Sequence, residues 1–224
     1  PVAVFLNGLT QDFSFWERSL GPFLQTDYTL VLFDGLYQGR SLMAAMEEKS
    51  PADFWTSPLL PPLLWEKQFW GTKEAVFPAV SILEQAKGLN ELLSLLNLHQ
   101  PVNLVSLSYG GGWALQYASL YPEQVDQLIL MAPFVGPIPN QDQLIRSIQE
   151  KVKLYFPHVH YDEEELYDYI LRGLILSTYS HSEPSILRWG WPQLLSAAEL
   201  IRGIRKLPTG ELIEKLPDQS VHLM

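Results

Sequence analysis

The chain has 224 residues, 47% of them hydrophobic, enough to bury one substantial core or one core plus a cap. Lys and Arg total 15 against 25 Asp and Glu, a formal net charge of -10, and no basic patch suited to nucleic acid is visible. No cysteine is present for a disulfide framework, no signal peptide opens the chain and no apolar span has membrane length, so a reducing cytoplasm is the expected setting.

Val2 to Leu6 is an apolar run that predicts a strand, followed by the turn Asn7-Gly8-Leu9-Thr10. Phe15, Trp16, Leu20 and Phe23 then recur at helical spacing. Tyr28 to Phe33 predicts a second strand, followed by Asp34-Gly35 and Gln38-Gly39-Arg40-Ser41. An insertion at about 42–80 carries Trp55, Trp65, Phe69, Trp70 and Phe77 together with Pro58, Pro61, Pro62 and Pro78. It is longer than a simple connection needs, and either walls a site or packs onto the domain. Ser81 to Leu98 predicts an amphipathic helix with Ile82, Ala86, Leu89, Leu93 and Leu96 on one face.

Val102, Leu104, Val105 and Leu107 predict a buried strand that runs into Ser108-Tyr109-Gly110-Gly111-Gly112. Ala114, Leu115, Ala118 and Leu120 predict the inward face of a helix that ends near Tyr121-Pro122. A side chain at the apex of so tight a strand-to-helix turn projects into open space, and crowding demands small residues two positions to either side. Ser106 and Gly110 meet that demand, which makes Ser108 a candidate nucleophile. The glycines leave the first helical N–H groups open to a developing anion. A nucleotide-binding turn is the rival reading, but neither G-x-G-x-x-G nor G-x-x-x-x-G-K-[ST] is present.

Val125 to Met131 predicts a further strand leading into Ala132-Pro133. From Gln141 to Leu207 the periodicity is helical, through Leu144, Ile145, Ile148 and Val152, then Leu166, Tyr169, Ile170 and Leu174, then Leu194, Leu195, Ala198 and Ile201. Breaks fall near Pro157, Pro184 and Pro208. Asp162-Glu-Glu-Glu165 reads as a solvated helix start rather than a metal site. Gln219 to Met224 reads as the beginning of one more strand. Alternation of strand and helix predicts an α/β, doubly wound, mostly parallel sheet with ligands at the strands' carboxyl ends.

Taken together, residues Val2 to Pro133 resemble the α/β-hydrolase superfamily. Asn7-Gly8-Leu9 resembles its His-Gly turn, Asp34-Gly-Leu-Tyr-Gln-Gly-Arg-Ser41 its Asp-x-x-Gly-x-Gly-x-Ser loop, and Ser108 stands where its nucleophile belongs. The resemblance implies an oxyanion hole from the Leu9 and Tyr109 backbone N–H groups, and a helical cap over the serine. Asn7 and Gln38 stand where the family frequently has histidine, which alters the hydrogen bonding behind the hole without removing a backbone donor. The implied organisation is a core at 1–136, a cap at 137–208 and a return to the core at 209–224. Trp189 and Trp191 either line the pocket under the cap or pack its core.

A serine hydroxyl needs a general base, and the base an orienting acid. The family places both after the cap, so the expectation is a piece of a longer protein whose acid and histidine follow Met224. Within the chain, His99 precedes the serine strand, His158 and His160 flank a helix break, His181 sits in a polar turn, and His222 reads as a core histidine. Asp34 reads as a turn residue that bonds nearby amides. The expected function is hydrolysis of an ester, or of an amide or thioester, on a small apolar acyl substrate, with no cofactor and no metal. Acyl transfer to another acceptor and a non-catalytic binding protein are the alternatives.

Overall fold

The computed structural model describes residues 1–9, 11–21, 27–47, 80–136, 139–158, 162, 163, 166, 167, 170, 196, 197, 200, 201, 203, 204, 207–216 and 221–224. Phe23, the tryptophans and prolines of the insertion, Trp189, Trp191, His160 and His181 lie outside them.

Five strands form one parallel sheet: β1 (Val2–Leu6), β2 (Thr29–Leu32), β3 (Val102–Leu107), β4 (Val125–Met131) and β5 (Val221–Leu223). Their spatial order is β2-β1-β3-β4-β5. The chain moves outward from β1 to β2, then crosses to the other side of β1 for β3, β4 and β5. The sheet therefore has a topological switch point between β1 and β3, where parallel α/β sheets open a crevice at their carboxyl ends.

Strand side chains alternate between the two faces. Val2, Val4 and Leu6 point with Leu104, Leu128 and Leu130 into one apolar layer, which holds Ala86, Leu89 and Leu93 of α3 (Ile82–Leu95) and Trp113, Ala114 and Leu115 of α4 (Gly110–Leu120). Ala3 and Phe5 point the other way, onto Trp16 of α1 (Ser14–Leu20). Phe5 and Trp16 meet with ring centroids 5.0 Å apart. Helices thus cover both faces, as the alternation predicted.

Helix α2 (Gly39–Glu47) follows the loop after β2, and α5 (Pro139–Tyr155) follows β4. Ile145 of α5 and the helical residues Leu166, Ile170, Ala197, Leu200, Ile201 and Ile204 are buried in the same layer as α3 and α4. A last short helix, α6 (Thr209–Glu214), leads toward β5. None of the helices among the described residues is long and apolar enough to cross a membrane.

Four side chains depart from the expected pattern. Leu96 is 48% exposed because α3 stops at Leu95, where Asn97 takes φ 55° and the Leu98 N–H bonds the Leu93 carbonyl. Leu120 is exposed because it lies five residues beyond Leu115, about 140° round the helix from it. Tyr117 and Trp113, one turn apart, are buried instead. Leu144 on α5 also faces outward, next to the fully buried Ile145. His222, read as a core histidine, is exposed on β5, the outermost of the described strands on that side.

Candidate active site

β3 ends at Leu107 and α4 begins at Gly110, so only Ser108 and Tyr109 separate them. Turning that sharply puts Ser108 at φ 51°, in the left-handed region that costs an L-residue on the order of 1 kcal/mol. Three backbone bonds hold it there. Its N–H donates to the Met131 carbonyl at 3.0 Å, and its carbonyl accepts from Gly111 at 2.9 Å and Phe134 at 2.8 Å. The two latter bonds tie the elbow to its own helix and to the loop after β4.

Small residues are needed here for close approach. A Cβ on Gly110 would stand 2.7 Å from the Leu6 carbonyl oxygen and 2.9 Å from that of Asn7. A Cβ on Gly111 would meet the Pro133 Cβ at 2.5 Å, and one on Gly112 the Ile204 side chain at 2.6 Å. Ser106 is fully buried and donates to the Ile129 carbonyl at 3.2 Å. Of the first helical N–H groups, expected to be open, those of Gly111 and Gly112 are spent on the Ser108 and Tyr109 carbonyls. The Tyr109 N–H has no hydrogen-bond acceptor among the described residues. Its side chain is wholly buried, and burial raises its phenol well above the usual range.

Register brings the other loops to this level. Leu6 pairs with Ser106 and Phe5 with Leu32, so Gly8, Ser108 and the Asp34-Gly35 turn leave the sheet at the same end. Asn7 is fully buried and donates to the Phe33 carbonyl at 3.1 Å and to Asp34 Oδ1 at 3.3 Å. Gln38, also fully buried, donates from Nε2 to the carbonyls of Gly8 at 2.8 Å and Leu9 at 3.1 Å. The Gly8 N–H donates to Gln11 Oε1 at 2.9 Å. Among the described residues the Leu9 N–H has no acceptor.

Asp34 serves the turns. Its Oδ1 accepts from the Phe13 N–H at 2.6 Å and its Oδ2 from the Arg40 N–H at 2.8 Å, while its own carbonyl accepts from Ser41. Burial raises its carboxyl above the ordinary range, against the pull of those two amides. The described histidines stand apart from Ser108. His99 is exposed before the amino end of β3, and His158 is exposed after α5. His222 pairs with Ile129, which pairs with Val105, three residues short of Ser108 and two strands away. Strand spacings make that a separation of roughly 14 Å, far outside hydrogen-bond reach.

A cavity of about 480 Å³ opens beside β2, lined by Phe33, Asp34, Leu36, Gln85, Leu89 and Trp113 among others. Ser108 is not among its lining residues. Glu163, read from sequence as part of a helix start, is ion-paired with Lys153 at 2.6 Å, which lowers its carboxyl below the ordinary range. The resemblance placed Gln38 behind the hole, but nothing in the sequence signalled its bonds to the Gly8 and Leu9 carbonyls.

The family described as alpha/beta hydrolase fold matches residues 1–161 of the chain. Among solved structures, an alpha/beta hydrolase enzyme from a Medee basin deep-sea metagenome library is similar at TM-score 0.53 and 17% identity, covering 100% of this chain and 80% of that one. An esterase from Exiguobacterium antarcticum is similar at TM-score 0.53 and 18% identity, covering 100% of this chain and 72% of that one. An uncharacterized protein of Mycobacterium tuberculosis is 42% identical over 52 residues, 23% of this chain and only 15% of its own length.

Proposed function

The chain belongs to the alpha/beta hydrolase fold family, and on that premise we propose that it is a serine-nucleophile hydrolase of a carboxylic ester or related acyl substrate. The observation that carries the reading is the strained backbone of Ser108 at the carboxyl end of the central strand, beside the switch point. Strain of this size persists only where surrounding structure enforces it, and here three backbone bonds do so.

In the proposed reaction Ser108 Oγ attacks the substrate carbonyl and its proton passes to a histidine. The Leu9 and Tyr109 N–H groups, both without acceptors among the described residues, receive the oxyanion. Collapse expels the alcohol, protonated by the same histidine, and water then hydrolyses the acyl-enzyme. The acid and the histidine are assigned to residues following Met224. Met224 donates its N–H to the Leu130 carbonyl and accepts from the Ala132 N–H, so a chain continuing past it emerges at the end of the sheet that carries Ser108. The helical segment after β4 is assigned as a cap over a small apolar acyl group.

Full-length protein carrying Ser108→Ala should lose p-nitrophenyl ester hydrolysis and fluorophosphonate labelling while keeping the parent's circular dichroism. Turnover at the parent's rate in that variant would refute the assignment.

A further inference from the structure

Resting on the proposed nucleophile and oxyanion donors, we infer that Gln38 is a positioning residue that clamps the Gly8–Leu9 peptide and so aims the Leu9 N–H. The Gly8 carbonyl and the Leu9 N–H belong to one planar trans peptide, and they point in opposite directions. A donor that holds the carbonyl therefore holds the N–H as well. Gln38 Nε2 is one such donor, at 2.8 Å, beside the Gln11 N–H at 3.2 Å, and its second bond, 3.1 Å to the Leu9 carbonyl, fixes the next peptide too. Hydrogen bonding to the carbonyl also polarises the amide, which makes the opposite N–H a stronger donor.

The loop that carries Gln38 is shaped to deliver it. Tyr37 at φ 59° and Gly39 at φ 46° flank it, turning a fully buried amide inward from a surface loop. Gly35 leaves room for it, since a Cβ there would stand 2.8 Å from Gln38 Oε1. The loop is pinned from outside by Gln85, which accepts from the Leu36 N–H and donates to the Leu36 carbonyl, both at 2.9 Å, and by Ser196, which donates to the Tyr37 carbonyl. An amide is suited to this task because it donates two hydrogen bonds at any pH, whereas a carboxylate would donate none.

The test compares full-length wild type with Gln38→Leu, which fills the space without donating, and Gln38→Glu, which donates only when protonated. Gln38→Leu should lower kcat for a p-nitrophenyl ester by about 10- to 100-fold with KM within about twofold, a loss confined to the transition state. It should also shift the Leu9 amide 15N resonance. For Gln38→Glu, the rate of fluorophosphonate labelling relative to wild type at the same pH, scaled to the folded fraction, should rise as pH falls and the buried carboxyl protonates. Should Gln38→Leu fail to fold, the pH ratio of Gln38→Glu decides alone.

A kcat for Gln38→Leu within twofold of wild type, or a flat pH ratio for Gln38→Glu, overturns the inference while leaving Ser108 in place. Wild type that is not labelled at Ser108 overturns the nucleophile and the catalytic role of the clamp together. In that case a Leu9 resonance shift would show the clamp to be structural only.

Discussion

At the residue scale, Ser108 and Gly110 divide the work of the elbow between strain and space. Ser108 bears a positive φ that glycine adopts freely, so Ser108→Gly should raise stability by about 1 kcal/mol in urea denaturation while removing the hydroxyl. Such an exchange of stability for a reactive geometry is expected where a site is strained. A stability unchanged or lowered in that variant would show that the turn carries no strain. Gly110→Ala is predicted to act in the opposite sense, because its Cβ would sit 2.7 Å from a backbone oxygen of β1 that cannot swing aside. The expected loss is about 1–3 kcal/mol, measured by the same denaturation.

At the element scale, α3 shows how a short sequence signature specifies a helix start. Ser81 accepts from the Glu84 N–H at 3.2 Å while the Glu84 carboxylate accepts from the Ser81 N–H at 2.7 Å, a reciprocal capping box. That backbone bond lowers the Glu84 carboxyl below its ordinary 4.5. A depressed folded value means the unfolded chain binds the proton more readily, so the stabilisation is present above pH 4.5 and is lost as pH falls through the lower folded value. Wild type should therefore exceed Glu84→Gln in stability by a few tenths of a kcal/mol at neutral pH, with the gap closing in acid. Urea titrations across that range would measure it, and a gap constant with pH would contradict the box. The far end of α3 is set by Asn97 in the left-handed region, which is why Leu96 leaves the apolar face.

At the scale of the whole molecule, the sheet is best protected at its centre. β1 and β3 are each flanked by strands on both sides and covered on both faces, whereas β2 and β5 lie at the ends of the strand order and β5 is exposed throughout. In the 224-residue chain, amide exchange should accordingly be slowest in Val4, Phe5, Leu104 and Val105, and faster by orders of magnitude at Val221–Leu223. Equal protection in β5 and β3 would contradict this order. The switch point falls between the two best-protected strands, so the loops that form the candidate site leave the most rigid part of the sheet.

Local chemistry made much of this legible from the sequence. Apolar runs of strand length marked β1, β3 and β4, the small residues around Ser108 marked the elbow, and Ile82, Ala86, Leu89 and Leu93 at helical spacing marked α3. These signals act between neighbours in the chain, where spacing and residue type carry the physics. What only the tertiary structure decided acts between residues distant in sequence. It set the order β2-β1-β3-β4-β5, which places β1 beside β3 and Gly8 level with Ser108. It turned Leu120 and His222 outward and kept His222 far from the serine. It also closed the bonds from Gln38 to Gly8 and Leu9 across about thirty residues, because a buried carbonyl accepts from whichever donor folding brings to it.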